Sequence, residues 1–308
     1  MLKRPAPDLS IVVPHLGSVA QLEDTLASVL RYRSMNSQVI VVHDGSYQDP
    51  HGIGGEVDMV VAPQDSNLGG YLGVALRSSQ AAIVGMVRPG VQIDEGWQAD
   101  ILESFEDEEV ASVSPLIVRE AKPTHVLTAG VNAGRGFRRK IVGQGVRVGR
   151  KAARLLPLGP SSWAAFYRRS ALDCLGTPDS QLQSVYLDLD IALGLQALGK
   201  RTMLQTSCIF TVENGDEIIA ESTTPHGASA ARACVRFGNS TSTLVDSAVE
   251  LATSPFQPWL LKHVMGKFSA RAMKDVDEAF RRRLETKLVT VEYEAEPFEV
   301  PEAYRRAA

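Results

Sequence analysis

The chain is poor in the features that mark several common protein classes. Its 308 residues include only three cysteines, Cys174, Cys208 and Cys234, in neither CxxC nor metal-finger spacing. An odd count argues against a disulfide framework, and reduced thiols are expected. No stretch reaches the ~18 consecutive apolar residues of a membrane span. Basic charge is not in excess: 32 Lys and Arg face 36 Asp and Glu, for a net charge of −4. Nucleic acid is therefore not an expected partner. An apolar leader is also lacking, since Met1-Leu2-Lys3-Arg4 runs straight into Pro5, Pro7 and Asp8. These features predict a cytoplasmic protein. No internal repeat or low-complexity tract stands out.

What the chain does have is a large apolar fraction, 44% of residues, enough to bury a sizeable α/β core. Leu9-Ser10-Ile11-Val12-Val13-Pro14 is a short β-branched run of the kind buried on both faces of a parallel sheet. Residues 18–33 place Val19, Leu22, Leu26, Val29 and Leu30 at helical spacing, with Ser18 as the N-cap. Further strands are predicted at 38–42, 57–61 and 82–87, and a helix at about 71–80. This alternation predicts a mostly parallel central sheet with helices on both faces and ligands beyond the strands' carboxyl ends. Pro14 to Gly17, His43 to Ser46, Asn67 to Gly70 and Arg88 to Val91 fall there.

Taken in order, these segments resemble the inverting family 2 glycosyltransferases, and among them the rhamnosyltransferase-like members. The opening strand ends in Pro14-His15. A strand that usually ends in Asp-Asp-Gly-Ser ends here in His43-Asp44-Gly45-Ser46, and the Asn-x-Gly turn is Asn67-Leu68-Gly69. Where members carry Asn-Pro-Asp-Val and a later Trp, this chain has Arg88-Pro89-Gly90-Val91 and Trp97. Ser161 to Leu172 resembles the acceptor-side strand with its Arg-Arg turn. Tyr186-Leu187-Asp188-Leu189-Asp190-Ile191 resembles the Glu-Asp-x-Asp-Leu helix start, and Leu198-Gly199-Lys200-Arg201 the end of that helix. The resemblance covers roughly residues 8–212 and implies the GT-A-type fold.

It also implies a nucleoside diphosphate sugar as donor, with Pro14, His15, His43, Asp44, Asn67 and Gly69 around the nucleotide; the ordinary alternatives are a turn-forming Asp44 and a structural His43. Asp188 would be the base that deprotonates the acceptor hydroxyl in an inverting displacement; its ordinary alternative is to complement a helix N-terminus. In family members an acid at the position of Gly90 holds magnesium or manganese on the diphosphate. Here that DxD-type motif is degenerate, the histidine expected after residues 202–212 is missing, and no residue is assigned to a metal. Arg88 could place its own fixed charge on the diphosphate, or simply pair with a neighbouring carboxylate.

The organisation that follows is a glycosyltransferase domain over 1–215, with a nucleotide-binding half at 8–100 and an acceptor half at 101–215, and a helical extension over 216–308. The glycine-rich basic run from Gly130 to Lys140 lacks the elements of a P-loop and reads as a mobile loop on the acceptor side. Residues 256–271 read as an apolar patch flanked by Lys262, Lys267 and Arg271, suited to packing on the domain, on a second copy or on a membrane surface. Two functions are compatible with these residues. One is inverting transfer of a sugar to a saccharide or lipid-linked acceptor, without metal; the other is a silent glycosyltransferase-like binding or partner protein. A nucleotidyltransferase is disfavoured, because no glycine-rich Lys/Arg loop follows the first strand.

Overall fold

The computed structural model describes residues 6–49, 51–176, 178, 182–223 and 226–237. The first half follows the predicted alternation closely. Strand β1 spans Leu9–Pro14 and helix α1 spans Val19–Tyr32; β2 is Ser37–His43 and β3 is Asp58–Val61. Helix α2 spans Leu68–Ser78 and β4 spans Ile83–Val87. The two short residues of β5, Val91–Gln92, precede α3 at Trp97–Ser104.

The second half is richer in strands. It contains β6 (Val110–Arg119), β7 (Lys122–Thr128), β8 (Val131–Ala133), β9 (Arg139–Ile141) and β10 (Ala164–Arg168). Helices α4 (Arg169–Leu175) and α5 (Leu187–Ala197) lead to β11 (Arg201–Val212), and α6 (Asp216–Thr223) and α7 (Gly227–Phe237) follow. The run from Gly130 to Lys140, expected as a mobile loop, is instead the β8–β9 hairpin, in which Val131 pairs with Ile141 and Ala133 with Arg139. Phe137 and Gly136 both adopt positive φ at its tip, which reverses the chain.

The strand order is β3-β2-β1-β4-β10-β6-β11-β5, with β7 on β6. From β3 to β4 the pairs are parallel, whereas β10 runs antiparallel to both β4 and β6. The sheet is therefore mixed, and its central strands are uniformly buried, as their β-branched sequences require. Alternate residues go to opposite faces. Ile11 and Val13 meet Leu22, Leu26 and Val29 of α1, while Val12 meets Tyr71 and Val74 of α2. Trp97, the predicted landmark after the turn, sits in the core against Phe166 and Phe210. Phe166 lies across Gly85, where a Cβ would come within 2.6 Å of its ring, so only glycine fits.

Helix α5 is apolar almost all round and is buried accordingly. Helix α7 packs on it, and on Val185 in the turn before it, with Ala230 and Ala233 clustering with Leu189 and Leu193. Of the expected extension, the patch at 256–271 lies outside the described residues. No helix among the described residues is long and apolar enough to cross a membrane.

Candidate functional site

The carboxyl ends of β1 and β2 gather one group of predicted residues. The His15 backbone N–H donates to the Val42 carbonyl at 2.7 Å, which fixes the turn after Pro14 beside β2. His43 is 8% exposed, and its Nδ1 accepts from the Gly45 N–H at 3.2 Å, so Nε2 carries the proton. Asp44 accepts from the Ser46 hydroxyl and backbone N–H, both on Oδ1, in an Asx-type turn. Those two bonds hold the carboxyl of this exposed aspartate below its ordinary pKa.

Tyr47, which the sequence did not single out, completes the group. Its ring lies 5.5 Å from His15 and 6.2 Å from His43, centroid to centroid. Both ring nitrogens of His15 and the Tyr47 hydroxyl are buried with no hydrogen-bond partner. Each such group costs about 1–3 kcal/mol of desolvation. Unmet polar atoms of this kind point to a place where a ligand supplies the missing bonds. Tyr71 lies close enough to Asp44 for that charge, after burial, to raise its phenol pKa.

Asn67 and Gly69 have a structural task. The Asn67 side chain caps α2 by accepting from the Gly70 N–H at 2.8 Å, and its amide donates to the Leu182 carbonyl at 2.7 Å. A Cβ at Gly69 would come within 3.1 Å of Pro178. These residues tie Pro178, Leu182 and Leu187 to the first half, which positions α5.

The turn after β4 sets what position 90 can hold. Pro89 and Gly90 occupy the centre of a turn closed by the Val91 N–H donating to the Arg88 carbonyl at 3.2 Å. Gly90 has φ +89°, the left-handed value that a type II Pro-Gly turn needs at its third position. A side chain here would point at Gln21, whose Nε2 lies 3.6 Å from the ideal Cβ. The Gly90 N–H is bonded to the Thr25 hydroxyl at 2.9 Å, which seats the turn on α1. The backbone thus directs position 90 into α1, and the neighbouring charge is the Arg88 cation. These residues do not fit a divalent ion, and the described residues contain no group of three or more His, Cys, Asp or Glu placed to hold one.

Arg88 pairs with a carboxylate. Its Nη1 donates to Glu221 Oε1 at 2.8 Å, and the guanidinium stacks 3.9 Å over the Trp163 ring. The Trp163 indole N–H donates to Glu221 Oε2 at 3.0 Å. Sequence reasoning missed Glu221, because it lies 133 positions from Arg88 and nothing local marks it.

Asp188 also meets the Ser161–Trp163 segment, through the Ser162 N–H. Two residues apart on a helix means about 200° of rotation, so Asp188 and Asp190 face different partners. Arg139 Nε and Nη2 donate to Asp188 Oδ1 and Oδ2 at 2.9 and 2.7 Å. The Ser162 N–H adds a bond to Oδ2 at 3.0 Å and the Leu189 N–H one to Oδ1 at 2.7 Å. Asp190 is held by Arg236 Nη1 at 2.6 and 2.7 Å. Asp188 and Arg139 are 1% and 3% exposed. Burial alone would lower the Arg139 pKa, but the Asp188 carboxylate outweighs it and keeps the guanidinium above its ordinary value. Both Asp188 oxygens already accept two bonds, so the carboxylate has its full complement of donors.

The sequence matches no protein-family model and no curated protein. Solved structures nevertheless share the architecture. The chain is similar to GalNAc-T7, solved with UDP, GalNAc and Mn2+, at TM-score 0.53 and 12% identity over 67% of this chain. That match spans 43% of the GalNAc-T7 chain, less than half its length. It is also similar to the mannosyltransferase PcManGT from Pyrobaculum calidifontis, in complex with GDP-Man and Mn2+, at TM-score 0.54 and 12% identity. This second match covers 93% of this chain and 88% of that one. The fold is accordingly the GT-A-type glycosyltransferase fold.

Proposed function

We propose that the protein is an inverting glycosyltransferase that takes a sugar from a nucleoside diphosphate donor to a saccharide or lipid-linked acceptor without a metal ion. The observation that carries this reading is the group at the ends of β1 and β2. There, the His15 ring nitrogens and the Tyr47 hydroxyl are buried without partners beside His43 and Asp44. A nucleoside suits it, because bases and ribose offer several donors and acceptors on an otherwise flat, apolar body. Asp44 Oδ2, which takes no part in the Asx-type turn, would accept from a ribose hydroxyl. Solved neighbours of the same fold bind UDP or GDP-Man, which supports a nucleotide at this edge.

As the sugar leaves, negative charge grows on the diphosphate and needs a counter-charge fixed in advance. Arg88 supplies it in this reading. Asp188 serves as base: it takes the acceptor hydroxyl proton while the hydroxyl oxygen attacks the anomeric carbon and the diphosphate departs from the opposite face. For this, one of the donors around Asp188 must withdraw, and Arg139 is the side chain able to do so. The reading extends to a family 2, rhamnosyltransferase-like specificity.

The saturated Asp188 favours a second reading, a silent glycosyltransferase-like protein that binds nucleotide and acts as a partner for an active enzyme. Titration calorimetry with UDP, GDP and dTDP, first in EDTA and then with manganese, combined with a donor-hydrolysis assay, separates the readings. Metal-free binding with turnover supports transfer. Binding without turnover of any nucleotide sugar leaves the silent protein, and tight binding only with manganese sinks the metal-free scheme.

A further inference from the structure

We infer that Arg88, the Trp163 indole and Arg139 form a binding site for a phosphate-type anion, and that Glu221 of α6 is its built-in occupant. The inference rests on the donor reading above and explains why Arg88 faces a carboxylate.

Two donors from separate elements converge on one carboxylate: Arg88 from the turn after β4 at 2.8 Å, and the Trp163 indole from the segment before β10 at 3.0 Å. They hold each other in place. The Arg88 guanidinium stacks on the Trp163 ring at 3.9 Å, and the Arg88 backbone N–H donates to the Trp163 carbonyl at 2.9 Å. Neither contact involves α6, so the donors keep their arrangement when Glu221 leaves.

A third donor lies within electrostatic reach. Arg139 spends Nε and Nη2 on Asp188, while its Nη1 is buried with no hydrogen-bond partner. Glu221 is among the charges that act on Arg139. A carboxylate has two oxygens, and Glu221 has both in use. A phosphate presents the same pair of oxygens and carries further oxygens and more charge, which the nearby Arg139 cation favours through its field. Ile218 is fully buried in the main core and anchors α6. Exchange of one anion for the other therefore needs rotation of the half-buried Glu221 side chain, with the helix staying docked.

The test is calorimetric titration of inorganic pyrophosphate in EDTA into the full chain, into Glu221→Gln and into Glu221→Gln/Arg88→Gln. Removing the resident charge should tighten binding about tenfold, and the gain should vanish in the double variant. Equal affinity in the first two proteins, a gain that survives Arg88→Gln, or a need for manganese overturns the inference. Should Glu221→Gln fail to fold, the unaltered chain decides. Pyrophosphate should shift the indole N–H resonance of Trp163, identified by its loss in Trp163→Phe, and an unmoved resonance overturns the site. If the variants behave as expected but no nucleotide sugar is turned over, the anion site stands and glycosyl transfer falls. If sugar is transferred but Glu221→Gln changes nothing, the reverse holds.

Discussion

The two ends of the candidate site treat their polar groups in opposite ways. At the ends of β1 and β2, His15 and Tyr47 keep buried polar atoms without partners. Around α5, each predicted acid is matched to an arginine, Asp188 to Arg139 and Asp190 to Arg236. An unmet buried polar atom weakens the fold and is useful only when something binds, whereas a matched ion pair resists change on both sides. On the reading proposed above, the first end receives the nucleotide, while the ion pairs of the second hold its local shape until the acceptor binds.

Predictions can break or sharpen this contrast. The largest effect expected is on catalysis: under the transfer reading, Asp188→Asn lowers kcat about 10²–10⁴-fold, measured by product formation at saturating donor. Unchanged turnover would remove Asp188 from the mechanism. Next, Arg139→Ala should cost about 3–5 kcal/mol of stability by leaving Asp188 charged, buried and unpaired; denaturant unfolding checks it, and a loss below about 1 kcal/mol would mean that water readily replaces the guanidinium. Asn67→Ala should cost about 0.5–2 kcal/mol through loss of the α2 cap, again read from the unfolding midpoint.

At the open end the sign changes. Tyr47→Phe should leave stability within about 0.5 kcal/mol or raise it, since it deletes an unsatisfied hydroxyl, while weakening nucleotide binding in calorimetry. A clear loss of stability would show that the hydroxyl has a structural partner. The smallest effect concerns His226, near Arg139 and Glu221 and bonded to Gln183. Burial lowers its pKa in the fold, whereas the unfolded chain takes up the proton near pH ~6.5. The unfolded state therefore binds more protons below that pH. Stability is full above about 6.5 and falls as pH descends through the folded value. His226→Gln should flatten that limb of a melting-temperature profile, and an unchanged limb would assign the acid sensitivity elsewhere.

Much of the first half was legible because its signals are local. β-Branched runs such as Ile11-Val12-Val13 and Val39-Ile40-Val41 specify strands without help from distant residues. The β8–β9 hairpin is not legible in this way, because glycines and arginines there imitate a solvated loop, and the buried Arg139 finds its carboxylate only 49 positions on. At Arg88 the sequence allows either a phosphate or a carboxylate partner, but nothing local points to Glu221. Ion pairs across the fold leave no periodic trace, so the chemistry of this site was less visible than its scaffold.

The turn at Gly90 also sets what a metal site would demand of this backbone. An aspartate placed there alone would sit at left-handed φ, at about 1–2 kcal/mol, with its carboxylate directed towards Gln21 of α1. Arg88 would still occupy the neighbouring position with its charge. Building a metal site here would therefore require a new backbone path through 88–91 and the loss of Arg88 together. No single substitution at this turn creates such a site.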